Sequence, residues 1–231
     1  MAKHGKRYID AQKKAPTGPV SLEEAVAFVK ANAGAKFDET VEIAMRLGVD
    51  IKKSDQTVRG TVNLPHGTGK NVRVIVFAGG TLADEARAAG AEEVGYEDLI
   101  EKVKNGWTDF DVAISTTDAM KEVRKIARVL GPRGLMPNPK TGTVTDDTAA
   151  AVKAAKGGKV DFRMDRTGNV CVLCGKRSFD ADKLVGNINT IVDAVRAERP
   201  AGAKGTFIRS LTVSSTMGVG VRVVVKEAAA E

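Results

Sequence analysis

The hydrophobic rhythm of this 231-residue chain changes near residue 69 and changes back near residue 158. In the middle stretch Val72-Arg73-Val74-Ile75-Val76-Phe77 is a nearly continuous apolar run, and Leu82 to Ala89 has helical spacing. Tyr96 to Asn105 repeats the helix, Phe110 to Ser115 the strand, and Asp118 to Leu130 the helix again. Strands alternating with helices at this spacing predict a parallel sheet covered on both faces. The flanking stretches instead alternate in and out, as half-buried strands do. Val41, Ile43, Met45 and Leu47 alternate with Thr40, Glu42 and Arg46, and Val58, Val62 and Leu64 mark the expected partner strand. Val160, Phe162 and Met164, the turn 165–169 and the return from Val170 to Cys174 predict a hairpin.

Each flank offers one amphipathic helix and a few strands, too little to bury a core alone. Ser21-Leu22-Glu23-Glu24 is a capping box that opens a helix with Leu22, Ala25, Val26 and Val29 inward. Asp180 is the expected cap of a longer helix ending near Arg199-Pro200, and strands over Phe207 to Val213 and Val219 to Val225 complete the set. The expected architecture is therefore a discontinuous ferredoxin-like α+β sandwich, residues 1–68 plus 159–231. A three-layer, Rossmann-like α/β domain, residues 69–158, is inserted into it. Charge divides the same way. Residues 1–68 carry 11 basic and 8 acidic side chains, residues 159–231 carry 12 and 8, and the insert carries 13 of each, so the whole surplus of +7 lies outside the insert.

A hydrophobic content of 42% with 28% charged residues of both signs excludes wholesale disorder. No apolar run approaches the roughly 18 residues of a membrane span, and the basic start has no apolar stretch behind it. No membrane association, secretion or disulfide is expected, and Cys171 and Cys174 read as buried or half-buried free thiols in a reducing compartment. Their C-x-x-C spacing lacks the second ligand pair that Zn²⁺ needs. Neither Gly79-Gly80 nor Gly67-Thr68-Gly69-Lys70 has the spacing of a dinucleotide fingerprint or phosphate loop. His4 and His66 stand alone, and Asp109/Asp111 and Asp146/Asp147 read as element boundaries. No catalytic residue, metal or cofactor is expected.

Basic residues with turn chemistry point instead to an anionic partner. Lys121, Arg124, Lys125 and Arg128 recur at i, i+3, i+4 and i+7, one basic helix face in a neutral segment. The proline- and glycine-rich stretch from Gly131 to Lys140 follows, and its Arg133 and Lys140 suit phosphate. These six cations are candidates for tRNA or a second RNA contact. Ala35-Lys36-Phe37-Asp38-Glu39-Thr40 sets a large apolar residue beside a cation. Ser214-Ser215-Thr216-Met217-Gly218 surrounds one flexible apolar side chain with hydroxyls suited to phosphate and ribose. Taken singly, Phe37 reads as a core plug and the 214–218 stretch as a strand end. Only ten residues are aromatic, so a structured RNA read by shape, phosphate and 2′-hydroxyl suits the chain better than unstacked bases.

Residues 35–40, Arg59 to Gly67 with Gly69-Lys70, Gly131 to Lys140, Gly202 to Phe207 and Thr216-Met217-Gly218 occur in this order. Together they closely resemble the bacterial large-subunit ribosomal protein "L-one" family, over nearly the whole chain. The resemblance implies a cytoplasmic protein of the large ribosomal subunit, monomeric when free, whose discontinuous domain holds ribosomal RNA at the mobile stalk. It also implies a role in releasing deacylated tRNA from the exit site and repression of its own operon through the mRNA. Phe37, Thr40, Thr216, Met217 and Gly218 match the family's RNA-contacting clusters, and Lys36, Arg163, Thr167, Gly168 and Ser210 match less closely. Two other classes stay open: a stand-alone RNA-binding translational regulator, which would not co-sediment with large subunits, and an enzyme built on the insert, which would bind a nucleotide.

Overall fold

The computed structural model describes residues 5–32 and 34–225; His4 and the alanine-rich tail after Lys226 lie outside the described residues. The chain divides into two compact units, Met1–Gly69 with Val160–Glu231, and Lys70–Lys159.

In the first unit, helix α1 (Lys6–Lys14) precedes α2 (Leu22–Asn32). The capping box of α2 is reciprocal: Ser21 Oγ accepts the Glu24 N–H at 3.2 Å and Glu24 Oε2 accepts the Ser21 N–H at 3.4 Å. Ala25, Val26 and Val29 are buried beneath it. Strand β1 (Thr40–Leu47) alternates buried and open residues, yet its partner is not the expected one. β2 (Arg59–Asn63) pairs with β6 (Lys159–Arg163) in a separate two-stranded sheet. β1 lies between β7 (Asn169–Lys176) and β8 (Ile208–Ser215), antiparallel to both, and β9 (Val221–Val223) completes the order β7-β1-β8-β9. Alternation says which face of a strand is buried and nothing about which distant strand will satisfy its backbone.

The hairpin expectation fails for a related reason. The turn forms, with the Asp165 N–H on the Asn169 carbonyl at 2.8 Å, but β6 and β7 continue into different sheets. The Met164 N–H goes to the Val58 carbonyl at 2.9 Å, which commits β6 to the β2 side. Helix α8 (Ala181–Ala197) supplies the stripe Leu184, Ile188, Ile191 and Val195 and packs against α2, β2 and β7, joining both sheets in one core. Asp180 occupies the N-cap position, but its carboxylate pairs with Lys183 at 2.9 Å and makes no cap hydrogen bond.

The second unit is a parallel sheet of β3 (Val74–Phe77), β4 (Glu93–Gly95) and β5 (Val112–Ser115) in the order β4-β3-β5. Ile75 and Phe77 enter one apolar cluster with Leu99 and Val103 of α4 (Glu97–Lys104). Val74 and Val76 enter the other, with Ala83 and Ala86 of α3 (Thr81–Ala88) and Val152 of α7 (Thr148–Lys156). Both faces are covered, so β3 reads as an unbroken apolar run. The helix expected over 118–130 is broken into α5 (Met120–Val123), a 3₁₀ turn at Arg124–Ile126 and α6 (Ala127–Leu130). β4 and α7 have no counterpart in the sequence reading. β4 is only three residues long, too short for a period, and alanine-rich α7 carries a weak stripe, although Asp147 caps it by accepting the Ala150 N–H at 3.0 Å.

Candidate nucleic-acid interface

The start of β1 and the end of β8 form one surface. The Thr40 N–H donates to Thr216 Oγ1 at 3.0 Å, the Thr216 N–H donates to the Thr40 carbonyl at 3.1 Å, and Lys176 Nζ donates to Thr40 Oγ1 at 2.9 Å. The loop before β1 and the turn after β8 therefore share their backbone partners. Neither apolar residue on them is core: Phe37 and Met217 are each 54% exposed, with Lys36 exposed beside Phe37.

Glu39 holds this arrangement together from beneath. It is fully buried, and its carboxylate accepts the Ala35 N–H at 2.9 Å and the Met217 N–H at 3.2 Å. Burial pushes its pKa up, but the Ser215 hydroxyl, those two N–H groups and the charge of Arg177 outweigh it and hold the group below its usual 4.5. Ser215 Oγ lies buried beside the carboxylate, outside strict hydrogen-bond geometry. On the neighbouring side Asp38 accepts the Ser178 N–H at 3.1 Å and the Ser178 hydroxyl at 2.8 Å. Gly175, at φ 152°, sits where the β1–β7 register shifts between Val41 and Glu42, and a Cβ there would meet Phe179 at 3.0 Å. Gly218 is tighter still: a Cβ on it would come within 2.3 Å of Ser215 Oγ. A side chain there requires the Ser215 hydroxyl to move, since the next nearest atoms lie at 3.5 Å or beyond.

The remaining candidates of this unit gather elsewhere. Arg46, six residues along β1 from Thr40 and so about 20 Å away, faces Asn169 on β7 and Ser210 on β8. Gly168, at φ 84°, accepts the Leu47 N–H at 2.9 Å, and Thr167 is exposed beside it. The Thr167 hydroxyl donates to Asp165 and accepts from Asn169 Nδ2, both at 2.8 Å, so the turn uses it fully. Asp165 is driven down to about 2 by the N–H of Asn169 and the hydroxyl of Thr167, with help from the Thr167 N–H and the Asn169 amide, against the opposing effect of burial. Arg163, exposed at the end of β6, belongs to the other sheet. Between the two ends of β1 the open sheet face has Glu42 opposite Ser214 and Ala44 opposite Thr212 and Cys171, with exposed Arg222 of β9 beside Thr212. The two thiols point to opposite sides of β7, and Cys171 is exposed rather than half-buried while Cys174 is buried.

In the second unit Lys121, Arg124, Lys125, Arg128, Arg133 and Lys140 are all exposed despite the broken helix. Lys125 pairs with Glu122 at 2.6 Å and the Arg133 guanidinium donates to Thr108 Oγ1. The loop 131–140 is anchored by buried Pro137 and by Asn138, whose N–H donates to Thr143 Oγ1 at 2.8 Å. At the carboxyl ends of β3 and β5 lies a cavity of about 330 Å³ whose lining includes Gly79, Tyr96, Asp118 and Asp146, with no cation among its lining residues. Two carboxylates facing such a cavity disfavour a phosphate.

Sequence reasoning missed Glu39, Lys176, Arg177 and Arg46. Glu39 stood inside a recognised hexapeptide, but its bond to Met217 spans 178 residues and no local pattern carries it. A comparison with known families matches the model of the ribosomal protein L1p/L10e family to residues 29–219, well over half of the chain.

Proposed function

This chain belongs to the ribosomal protein L1p/L10e family, and from that premise we propose how its surface holds RNA. As a member it is a structural, ribosomal-RNA-binding component of the large ribosomal subunit in the cytoplasm, and the family is one of RNA-binding proteins rather than enzymes. The finer reading is that the two ends of β1 grip a structured RNA of the mobile stalk. Phe37 and Met217 pack on sugar and base edges. Thr40 and Thr216 meet 2′-hydroxyls or phosphates, Gly218 offers backbone at close range, and Lys36 meets phosphate. Arg163, Thr167, Gly168 and Ser210 form or flank the far contact, with Thr167 shaping its turn. The observation that supports this is Glu39, a buried carboxylate that ties the N–H of Ala35, two residues before exposed Phe37, to the N–H of exposed Met217. A Phe and a Met that are both more than half exposed, on segments tied to one carboxylate, suit a partner.

The same surface serves, on this reading, for the protein's own operon mRNA, so ribosomal RNA and message compete and repression follows when ribosomal RNA is saturated. The exposed cations of the second unit, Lys121 to Lys140, meet exit-site tRNA and aid its release once deacylated. The test is a competition titration of the intact protein with stalk RNA and with its own mRNA leader. Mutual displacement, with Phe37→Ala weakening both alike, is expected; simultaneous binding of both RNAs to one protein molecule overturns the shared site.

A further inference from the structure

Helix α1 has nine residues and none of them is buried. A free helix of this length is marginal in water, and one of its tethers is a side chain: the Arg7 guanidinium donates to the Gly34 carbonyl. Gly34 makes that docking possible, because a Cβ on it would lie 2.8 Å from Arg7 Cδ. Tyr8, Ala11 and Ala15 are half-buried at i, i+3 and i+7, so the helix rests on that side. The other side shows Lys6, Ile9, Lys13 and Lys14 to solvent, with Asp10 the only acid in the helix, and Ile9 is 40% exposed.

The tether point decides what this face is for. Gly34 adjoins Ala35, whose N–H is held by Glu39, which also holds the Met217 N–H. A cationic helix with one exposed apolar side chain is thus anchored at the edge of the Phe37–Met217 surface, where Lys36 and Phe37 already pair a cation with an exposed apolar group. We propose that α1 is an RNA-binding arm that carries the contact beyond the Phe37 loop onto adjoining backbone phosphates, with Lys6, Lys13 and Lys14 on phosphate and Ile9 on a sugar edge. The occupant is RNA because the face is cationic and continuous with the surface assigned to RNA above, and the inference rests on that assignment.

The experiment measures the affinity of the intact protein for stalk RNA across a salt series. The doubly substituted Lys6→Ala/Lys13→Ala protein should lose about tenfold in low salt, with its log–log salt slope shallower by one to two units. Its melting transition should not move, since neither lysine is buried. Arg7→Ala, which keeps both lysines but removes the contact with Gly34, should also weaken binding, and a hydroxyl-radical footprint should lose protection at one flank of the site in both proteins. Wild-type affinity and slope in the double variant, alongside weakened binding by Met217→Ala, overturn the arm and leave the main site standing. Loss of binding in the double variant with Met217→Ala unaffected overturns the main site and the arm as its extension. If the lysines instead govern binding to phosphatidylglycerol vesicles and leave RNA affinity unchanged, the helix belongs to a lipid surface and the proposal falls.

Discussion

The carboxylate of Glu39 accepts the backbone N–H of Met217 at 3.2 Å, tying a turn near the end of the chain to the loop that carries Phe37. Removing it in Glu39→Ala should cost about 2 to 3 kcal/mol, because two hydrogen bonds to a charged group are lost in a buried place. RNA affinity should fall with it. The dependence on pH has a definite sign: a carboxyl whose folded pKa is lowered contributes fully above its unfolded value, near 4.5, and loses that contribution as pH falls through the folded value. Thermal melts of wild type and Glu39→Ala should therefore converge in acid; a constant gap across that range contradicts the assignment.

Met217→Ala separates recognition from folding. With Met217 54% exposed, the melting transition should shift by no more than about 0.5 kcal/mol, while stalk-RNA affinity should fall by about fivefold, roughly 1 kcal/mol, without a change in salt slope. Lys36→Ala should do the reverse, lowering the slope by somewhat under one unit. Identical salt slopes for the two variants would count against the division of labour between apolar and charged contacts.

Gly218 behaves differently from its neighbour. An added Cβ meets Ser215 Oγ at 2.3 Å, so Gly218→Ala should destabilise the free protein by about 1 to 2 kcal/mol. In a Ser215→Ala background that cost should shrink by about half or more, a coupling readable by a double-mutant cycle. Additive effects would mean that the obstacle is not the serine hydroxyl.

Asn187, buried on α8, donates to the Cys174 carbonyl at 2.7 Å and the Gly67 carbonyl at 3.0 Å, and accepts the His66 N–H at 3.2 Å. Asn187→Leu strands a core carbonyl and frees the segment leading out of the first unit. A loss of about 2 to 3 kcal/mol is expected in urea unfolding, and faster amide exchange should appear first at His66, whose N–H Asn187 accepts. Uniform loss of protection would instead indicate general loosening.

Charge placement yields the last expectation. Neutralising Lys121, Arg124 and Arg128 to alanine together should leave stalk-RNA affinity within about twofold and weaken tRNA binding. A large drop in stalk-RNA affinity would move the ribosomal-RNA contact into the second unit.

Much of this protein was written in short-range pattern. The capping box of α2, the alternation of β1, the apolar run of β3 and the stripe of α8 each follow from the period at which side chains recur, and period is a local property. A change of period is what suggested one unit nested within another, and the charge surplus is a matter of counting. Pairing did not. β1 reads as the partner of β2 only by nearness, whereas its backbone is satisfied by β7 and β8, more than a hundred residues further on. Phe37 reads singly as a core plug and the 214–218 stretch as a strand end, and only the tertiary structure shows both apolar side chains exposed, on segments that a buried Glu39 ties together through the N–H groups of Ala35 and Met217. A glutamate in a turn is ordinarily a solvated charge. What made this one a scaffold is the position of atoms 178 residues away, which is decided when the sheet closes.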